Sequence, residues 1–260
     1  MKEVKIILKF FLSFLVNNML LNNFFILTGL EKKMKKFTHP YLHFRIDTTK
    51  NLQETAGFSN RPEINEVLEK CHSDLQKVAR KFFPDGGRVL DVGCGPGLYL
   101  KDFDKRYLLH GSDISEGMLK LAQRELPYAK FYPGDFMKIQ FEEKLHLIYC
   151  IGVLIYISRT ELDDFFRKAH DLLEPGGIFF LHYPHAIHWC DLFYPDLRYI
   201  QYSPALIQQT ASKKFNILEH HHGFDGRVIH KYDEHPYKST NPLTNKTYKN
   251  SYLLIAKRAQ

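Results

Sequence analysis

Several features are scarce in this chain, and each scarcity excludes something. There are four cysteines in 260 residues, at 71, 94, 150 and 190, and no C-x-x-C pair. Neither a disulfide framework nor a zinc site is expected from them, and a reducing, cytoplasmic setting fits best. No repeat or low-complexity linker divides the chain. Positive charge is scarcer than the net +7 suggests. Residues 1–36 hold seven lysines and two glutamates, a surplus of five, so the remainder carries only +2. That gives no strong nucleic-acid signal. Hydrophobic residues make up 44% and charged residues 25%, the balance of a globular chain with room for a sizeable core.

One long uncharged run does occur, from Phe10 to Leu30, with lysines on both sides. About 20 apolar residues are needed to cross a bilayer. Asn17, Asn18, Asn22 and Asn23 interrupt this run, and each amide is costly in hydrocarbon. Three readings stay open. The segment is a membrane-contacting helix over 10–30, a signal peptide without a clear cleavage site, or a dispensable extension ahead of a start at Met34. The division expected is a hydrophobic and basic extension over 1–36 and one domain over 37–260.

The most informative stretch is Arg88-Val89-Leu90-Asp91-Val92-Gly93-Cys94-Gly95-Pro96-Gly97. An apolar strand runs into glycines at alternate positions. Strand, glycine loop and helix in succession make a nucleotide-sized binding device. The dinucleotide pattern G-x-G-x-x-G would need glycine at position 98, and Leu98 stands there.

Downstream, strand and helix signals alternate. Pro62 opens a helix running to about Phe83. Leu98 to Phe103 reads as a helix start. Tyr107–Asp113 reads as a strand ending in an acid, and Ser115 as the cap of a helix over Glu116–Leu126. Lys130–Tyr132 and Leu145–Ile151 read as strands. Thr160 and Asp163 suggest a capping-box variant for a helix over Thr160–Leu173. Glu174-Pro175-Gly176-Gly177 breaks that helix before a strand at Ile178–Leu181. Another helix starts at Ser203-Pro204, and Phe215–His222 and Ser251–Lys257 look like closing strands. The alternation predicts a mostly parallel sheet with helices on both faces.

Four segments, taken together, resemble the class I S-adenosylmethionine-dependent methyltransferases, of the small-molecule type. They are Asp91-Val92-Gly93-Cys94-Gly95-Pro96-Gly97, Asp113 at the end of the second strand, Gly134-Asp135-Phe136 after the third, and Ile151–Ile157 with the Glu174–Gly177 turn. The resemblance covers roughly 60–200. It implies an α/β, Rossmann-like doubly wound sheet with an antiparallel C-terminal strand. It implies S-adenosylmethionine as cofactor, held by Asp91, Gly93, Cys94, Gly95, Gly97, Asp113, Ile114, Met118, Asp135, Phe136 and Ile151. Asp113 would accept from the ribose hydroxyls and Asp135 from the adenine amino group, with Phe136 packed on the ring. The third, close-packing glycine of the dinucleotide pattern has no task here. One departure is His146, where the family commonly opens the fourth strand with an aspartate.

The implied reaction is methyl transfer by in-line displacement to a small-molecule acceptor with an O or N nucleophile. Alternatives are a non-catalytic cofactor-binding regulator and a protein or RNA methyltransferase. Acceptor-side candidates are Tyr156, His182 and His185, followed by His188. Tyr183 and Tyr202 are candidate pocket walls, and Arg198 or Arg227 could hold an acidic substrate. Histidine suits proton removal near neutral pH. The run His220-His221-His222, with His230 and His235, invites a metal site. Adjacent strand residues alternate faces, so the three cannot converge on one ion, and no metal is expected.

Overall fold

The computed structural model describes residues 62–185, 202, 204–222, 237–238 and 247–257. The extension over 1–36 and the membrane contact expected at 10–30 lie outside them, as do His188, Arg198 and Arg227. No helix among the described residues is long and apolar enough to cross a membrane.

The chain opens with α1 (Pro62–Phe82), whose last turn carries Arg80 and Lys81 against the negative end of the helix dipole. Then follow β1 (Gly87–Val92), β2 (Tyr107–Asp113), α2 (Glu116–Glu125), β3 (Lys130–Pro133) and β4 (Leu145–Ile151). After them come α3 (Leu162–Leu172), β5 (Leu173–His185), α4 (Pro204–Ala211), β6 (Phe215–His222), β7 (Tyr237–Lys238) and β8 (Thr247–Lys257). The sheet order is β3-β2-β1-β4-β5-β8-β6, with β7 paired to β8. β1 to β5 are parallel, and β8 lies antiparallel between β5 and β6. This is the doubly wound arrangement with an antiparallel closing strand.

β1 and β4 are central strands buried on both faces, which is why Val89–Val92 and Leu147–Ile151 read as almost unbroken apolar runs. Alternate residues divide them between two cores. Val89, Leu147, Tyr149, Ile178 and Phe180 face Cys71, Leu75 and Ala79 of α1. Leu90, Ile148, Cys150, Phe179 and Leu181 face Phe165, Phe166 and Ala169 of α3 and Ile207 and Ala211 of α4.

Three local expectations need correction. The helix start expected at Leu98–Phe103 is only a single 3-10 turn, Leu100–Asp102, after which Phe103 is already extended. Leu100 is fully buried there, so the segment is fixed by its core plug rather than by helix propensity. The cap before α3 lies two residues earlier than Thr160 and Asp163. Glu161 accepts from the Ser158 backbone N–H at 3.2 Å and from its hydroxyl at 2.6 Å. The Glu174–Gly177 turn does not end one element and start another. Leu173 pairs with Leu145 and Ile178 with Leu147, so the four residues form an excursion inside β5. Gly97, the last glycine of the loop, packs closely against the end of α2. A Cβ there would lie 3.0 Å from Leu126 and 3.4 Å from Ala122, the residues that end α2.

His146 fills the place of the missing aspartate by another route. Its Nδ1 accepts from the Arg88 backbone N–H at 3.1 Å. The Arg88 side chain meanwhile pairs with Glu174 at 2.9 Å, tying the start of β1 to β5. Cys71, Cys94 and Cys150 are buried free thiols, and Cys190 lies outside the described residues.

Candidate active site

β2 lies on one side of β1 and β4 on the other. The chain winds from β1 toward one sheet edge and returns to fill the opposite side. A crevice opens beyond the carboxyl ends of strands at such a reversal, the usual ligand position in open α/β sheets. The candidate residues gather there.

The glycine loop is folded back onto β2. Gly93 and Cys94 both donate backbone N–H bonds to the Ser112 carbonyl, at 2.7 and 3.0 Å. Gly93 has φ +76°, and a Cβ on it would lie 2.1 Å from Cγ2 of Val153, the residue two beyond β4. Only glycine allows that approach without movement. Gly95 differs: its φ is +52°, yet nothing lies within 4 Å of a Cβ built there, so its outer side faces open space.

Asp113 ends β2 and ties the loop to the next element. Its Oδ2 accepts from Gly95 N at 2.8 Å and its Oδ1 from Ser115 N at 2.8 Å. Burial raises its carboxyl above the usual range, and the two backbone amides oppose that rise. A carboxylate offers about four lone-pair directions, so each oxygen can still accept from a ligand hydroxyl. Ser115 caps α2, accepting from Met118 N at 3.4 Å. Met118 is buried beneath the site, whereas Ile114, next to Asp113, keeps 37% of its surface exposed.

Asp91 lies deeper. It is 2% exposed, at the end of β1 under the loop. Tyr149 stands opposite it in the β1–β4 register and is fully buried. Burial pushes the Asp91 carboxyl well above the carboxylate range. The neighbouring Tyr149 hydroxyl opposes the rise and Asp113 adds to it. The Asp91 carboxyl and the Tyr149 hydroxyl are thus buried neighbours, each acting on the other's ionisation. Burial also raises the Cys94 thiol, with Asp91 and Asp113 contributing, so it is a packed thiol rather than a reactive one.

On the far side of Asp113, Gly134 N donates to the Asp113 carbonyl at 2.9 Å and brings Asp135 beside it. Asp135 Oδ1 accepts from Met137 N at 3.0 Å, and its Oδ2 lies 3.7 Å from Lys138 Nζ. Phe136 does not stand open as a ring platform. It is 8% exposed and packs edge-on against Phe165 at 5.6 Å. Ile151 is buried at the end of β4, opposite His182 of β5.

His182 is 4% exposed. Tyr156 is half-buried in the 3-10 turn Leu154–Tyr156 after β4. The backbone of His185 ends β5, and its side chain lies outside the described residues. Tyr183 and Tyr202 are not pocket walls but core residues, 0% and 1% exposed. The Tyr183 hydroxyl bonds His220 Nε2 at 2.8 Å, and that of Tyr202 donates to the Ile157 carbonyl. Gln208 Oε1 takes the other nitrogen of His220 at 3.2 Å. Among the described residues no three His, Cys, Asp or Glu side chains converge on a metal position.

Residue-by-residue reading missed Tyr149 and Val153. Tyr149 alternates with Leu147 and Ile151, so it reads as core. Only the register of β4 against β1 reveals the acid opposite it.

Residues 89–177 match the profile of a methyltransferase domain. Over 109 residues the chain is 31% identical to a dTDP-3-amino-3,4,6-trideoxy-alpha-D-glucopyranose N,N-dimethyltransferase of Streptomyces venezuelae, 41% of this chain and 46% of that one. It is 28% identical over 132 residues to a dTDP-4-amino-2,3,4,6-tetradeoxy-D-glucose N,N-dimethyltransferase of Saccharopolyspora spinosa, 45% and 53%. The chain thus spans about half the length of these curated relatives. In fold it is similar to the N-methyltransferase NodS from Bradyrhizobium japonicum in complex with S-adenosylhomocysteine. The TM-score is 0.54 at 13% identity, over 74% of this chain and 87% of that one. It is also similar to the [4+2]-cyclase SpnF, with TM-score 0.56 at 17% identity over 72% and 81%. Glycine loop, acids and strand order agree with these matches: residues 89–177 are similar to a methyltransferase domain, and the fold is that of these neighbours.

Proposed function

We propose that the protein binds S-adenosylmethionine across the ends of β1, β2 and β3 and transfers its methyl group to a small-molecule acceptor. The observation that carries this reading is the Asp113 carboxylate bonded to Gly95 N at the mouth of the glycine loop. One contact brings the ribose-type acceptor and the loop into a single cradle, with open space beyond Gly95. The cofactor fits what is present: an acid with spare lone pairs, an exposed apolar neighbour in Ile114, and a second acid in Asp135.

When bound, S-adenosylmethionine supplies a methyl group made electrophilic by its sulfonium. The chain's own work is to bind, orient and exclude water. Asp113 would hold the ribose hydroxyls by charge-assisted hydrogen bonds, with Ile114 supplying apolar surface beside it. Asp135, its carboxylate fixed by Met137 N, would accept from the adenine amino group. Met118 and Ile151 back the site with apolar surface. Alignment of an acceptor within reach contributes up to about 7–11 kcal/mol in ideal cases. Tyr156 and His182, after β4 and at the end of β5, are the residues through which the acceptor's proton leaves, with His185 beside them in sequence.

Ligand binding without transfer is a second reading. The depth of His182 favours it, since a base 4% exposed is poorly placed to meet an acceptor. Incubation with S-adenosylmethionine and a small-molecule fraction of cell extract separates the two. Release of S-adenosylhomocysteine, lost on removal of the small molecules, supports transfer. Tight binding without release supports the regulator. Release that depends on protein or RNA contradicts the small-molecule acceptor.

A further inference from the structure

Residues 152–161, between β4 and α3, carry the acceptor-side candidate Tyr156 and contain two 3-10 turns, Leu154–Tyr156 and Arg159–Glu161. The backbone bonds of the first turn are local. Tyr156 N donates to the Val153 carbonyl at 2.8 Å and Ile157 N to that of Leu154 at 3.0 Å. A turn so short does not fix its own place in a fold. Contacts with distant chain decide where Tyr156 stands. Upstream of it, Gly152 N donates to the His182 carbonyl at 3.4 Å, and Val153 lies against Gly93. Leu154 is fully buried in the core beneath α3. Downstream, the Tyr202 hydroxyl donates to the Ile157 carbonyl, bridging 45 residues of chain. The Arg159 guanidinium lies over the Tyr202 ring, 5.5 Å from its centroid.

The ring of Tyr202 and its hydroxyl have separate uses. The ring is buried in the same apolar core as Leu154, Phe165, Phe166 and Ile207. Phenylalanine would fill that place and still offer its face to Arg159. A buried hydroxyl adds only modest net stability when bonded, and costs stability when not. What this hydroxyl adds is direction: it fixes one carbonyl, that of the residue after Tyr156. We propose that Tyr202 is a positioning residue, whose hydroxyl holds the Ile157 carbonyl and thereby keeps Tyr156 within reach of the acceptor. This inference rests on the transfer reaction proposed above and names a residue outside the crevice that sets its rate. Tyr202 touches neither cofactor nor acceptor and moves no proton; it acts through Tyr156. The cofactor side of the same turn is held independently, by Leu154 and by the Gly152–His182 bond.

Tyr202→Phe keeps the ring and removes the bond. In the full chain at saturating S-adenosylmethionine, with the small-molecule fraction of cell extract, release of S-adenosylhomocysteine is expected to slow by about ten- to a hundredfold. Affinity for S-adenosylhomocysteine is expected to stay at the wild-type level. Tyr156→Phe removes the group that Tyr202 positions, so adding Tyr202→Phe to it costs no further rate. A merely structural Tyr202 would lower the urea midpoint and leave the rate per folded molecule unchanged. Hydrogen exchange gives a reading that needs no acceptor: in Tyr202→Phe the amides of Tyr156 and Ile157 exchange faster, and those of β4 do not. An unchanged rate, losses that multiply in the double variant, or unchanged exchange at Tyr156 and Ile157 overturns this inference alone. A wild type that binds the cofactor and releases no product overturns it together with the proposed transfer.

Discussion

The two faces of the sheet are built for different ends. The face beneath α3 and α4 is an aromatic lattice. Phe165, Phe166, Phe179 and Phe215 form five edge-on or tilted pairs with ring centroids within 6.3 Å, all at most 1% exposed. The face beneath α1 carries an acid, a phenol and a thiol within its apolar core, with Asp91 Oδ2 and Tyr149 Oη lacking a hydrogen-bond partner. One face gains stability from shape-matched apolar surface. The other forgoes some of it where the strands end at the crevice. An acid and a phenol set into an apolar core next to the glycine loop mark where a ligand belongs.

That contrast can be broken most forcefully on the aromatic face. Phe165→Ala or Phe179→Ala leaves a cavity among four rings, at a cost of about 3–5 kcal/mol. Urea denaturation is expected to show that loss, with ligand affinity of the remaining folded protein unchanged.

On the other face, Gly93→Ala is expected to act on the site as well as on stability. The φ of +76° alone costs about 1–3 kcal/mol in a residue with a side chain, and the new methyl group collides with Val153. Ligand affinity falls more than tenfold. Gly93→Ala combined with Val153→Ala recovers the part due to collision and not the part due to φ, so the pair measures how the cost divides.

A smaller effect is expected at the entrance to α3. Ser158→Ala removes one half of the capping box, about 1 kcal/mol. Thr160→Ala, at the cap position the sequence suggests, costs less.

The last effect is a change of slope. The Asp91 carboxyl is raised in the folded state above its unfolded value. Its contribution to stability is fully present below the unfolded carboxylate range and is lost as pH rises through the folded value. Asp91→Asn therefore raises stability relative to wild type at neutral pH. The gain vanishes as pH falls toward about 4, the unfolded aspartate value. Thermal unfolding followed against pH checks this. A gain that stayed constant with pH would place the effect in packing rather than in charge.

Much of this was legible from residue order. Strand and helix alternation from Arg88 to Leu181 located β1 to β5, because buried parallel strands are short apolar runs bounded by turn residues. Gly93, Gly95 and Asp113 were legible because loop chemistry is local. What escaped depends on contacts between distant segments. The Ser158–Glu161 cap differs from the expected Thr160–Asp163 cap only by a shift of two residues. Phe136 sits beside Asp135 in sequence, yet the aromatic lattice draws its ring into the core. Tyr149 gains meaning only from Asp91, 58 residues earlier, through the strand register.

The most direct test of the account is titration of the purified chain with S-adenosylmethionine and S-adenosylhomocysteine, with NADH as the control and Asp113→Ala as the variant. The account expects micromolar binding of the first two, none of NADH, and loss of at least about tenfold in the variant, as a charged hydrogen bond is worth some 1.5–3 kcal/mol. A folded protein that binds neither compound, or a variant that binds both as tightly as wild type, would contradict it.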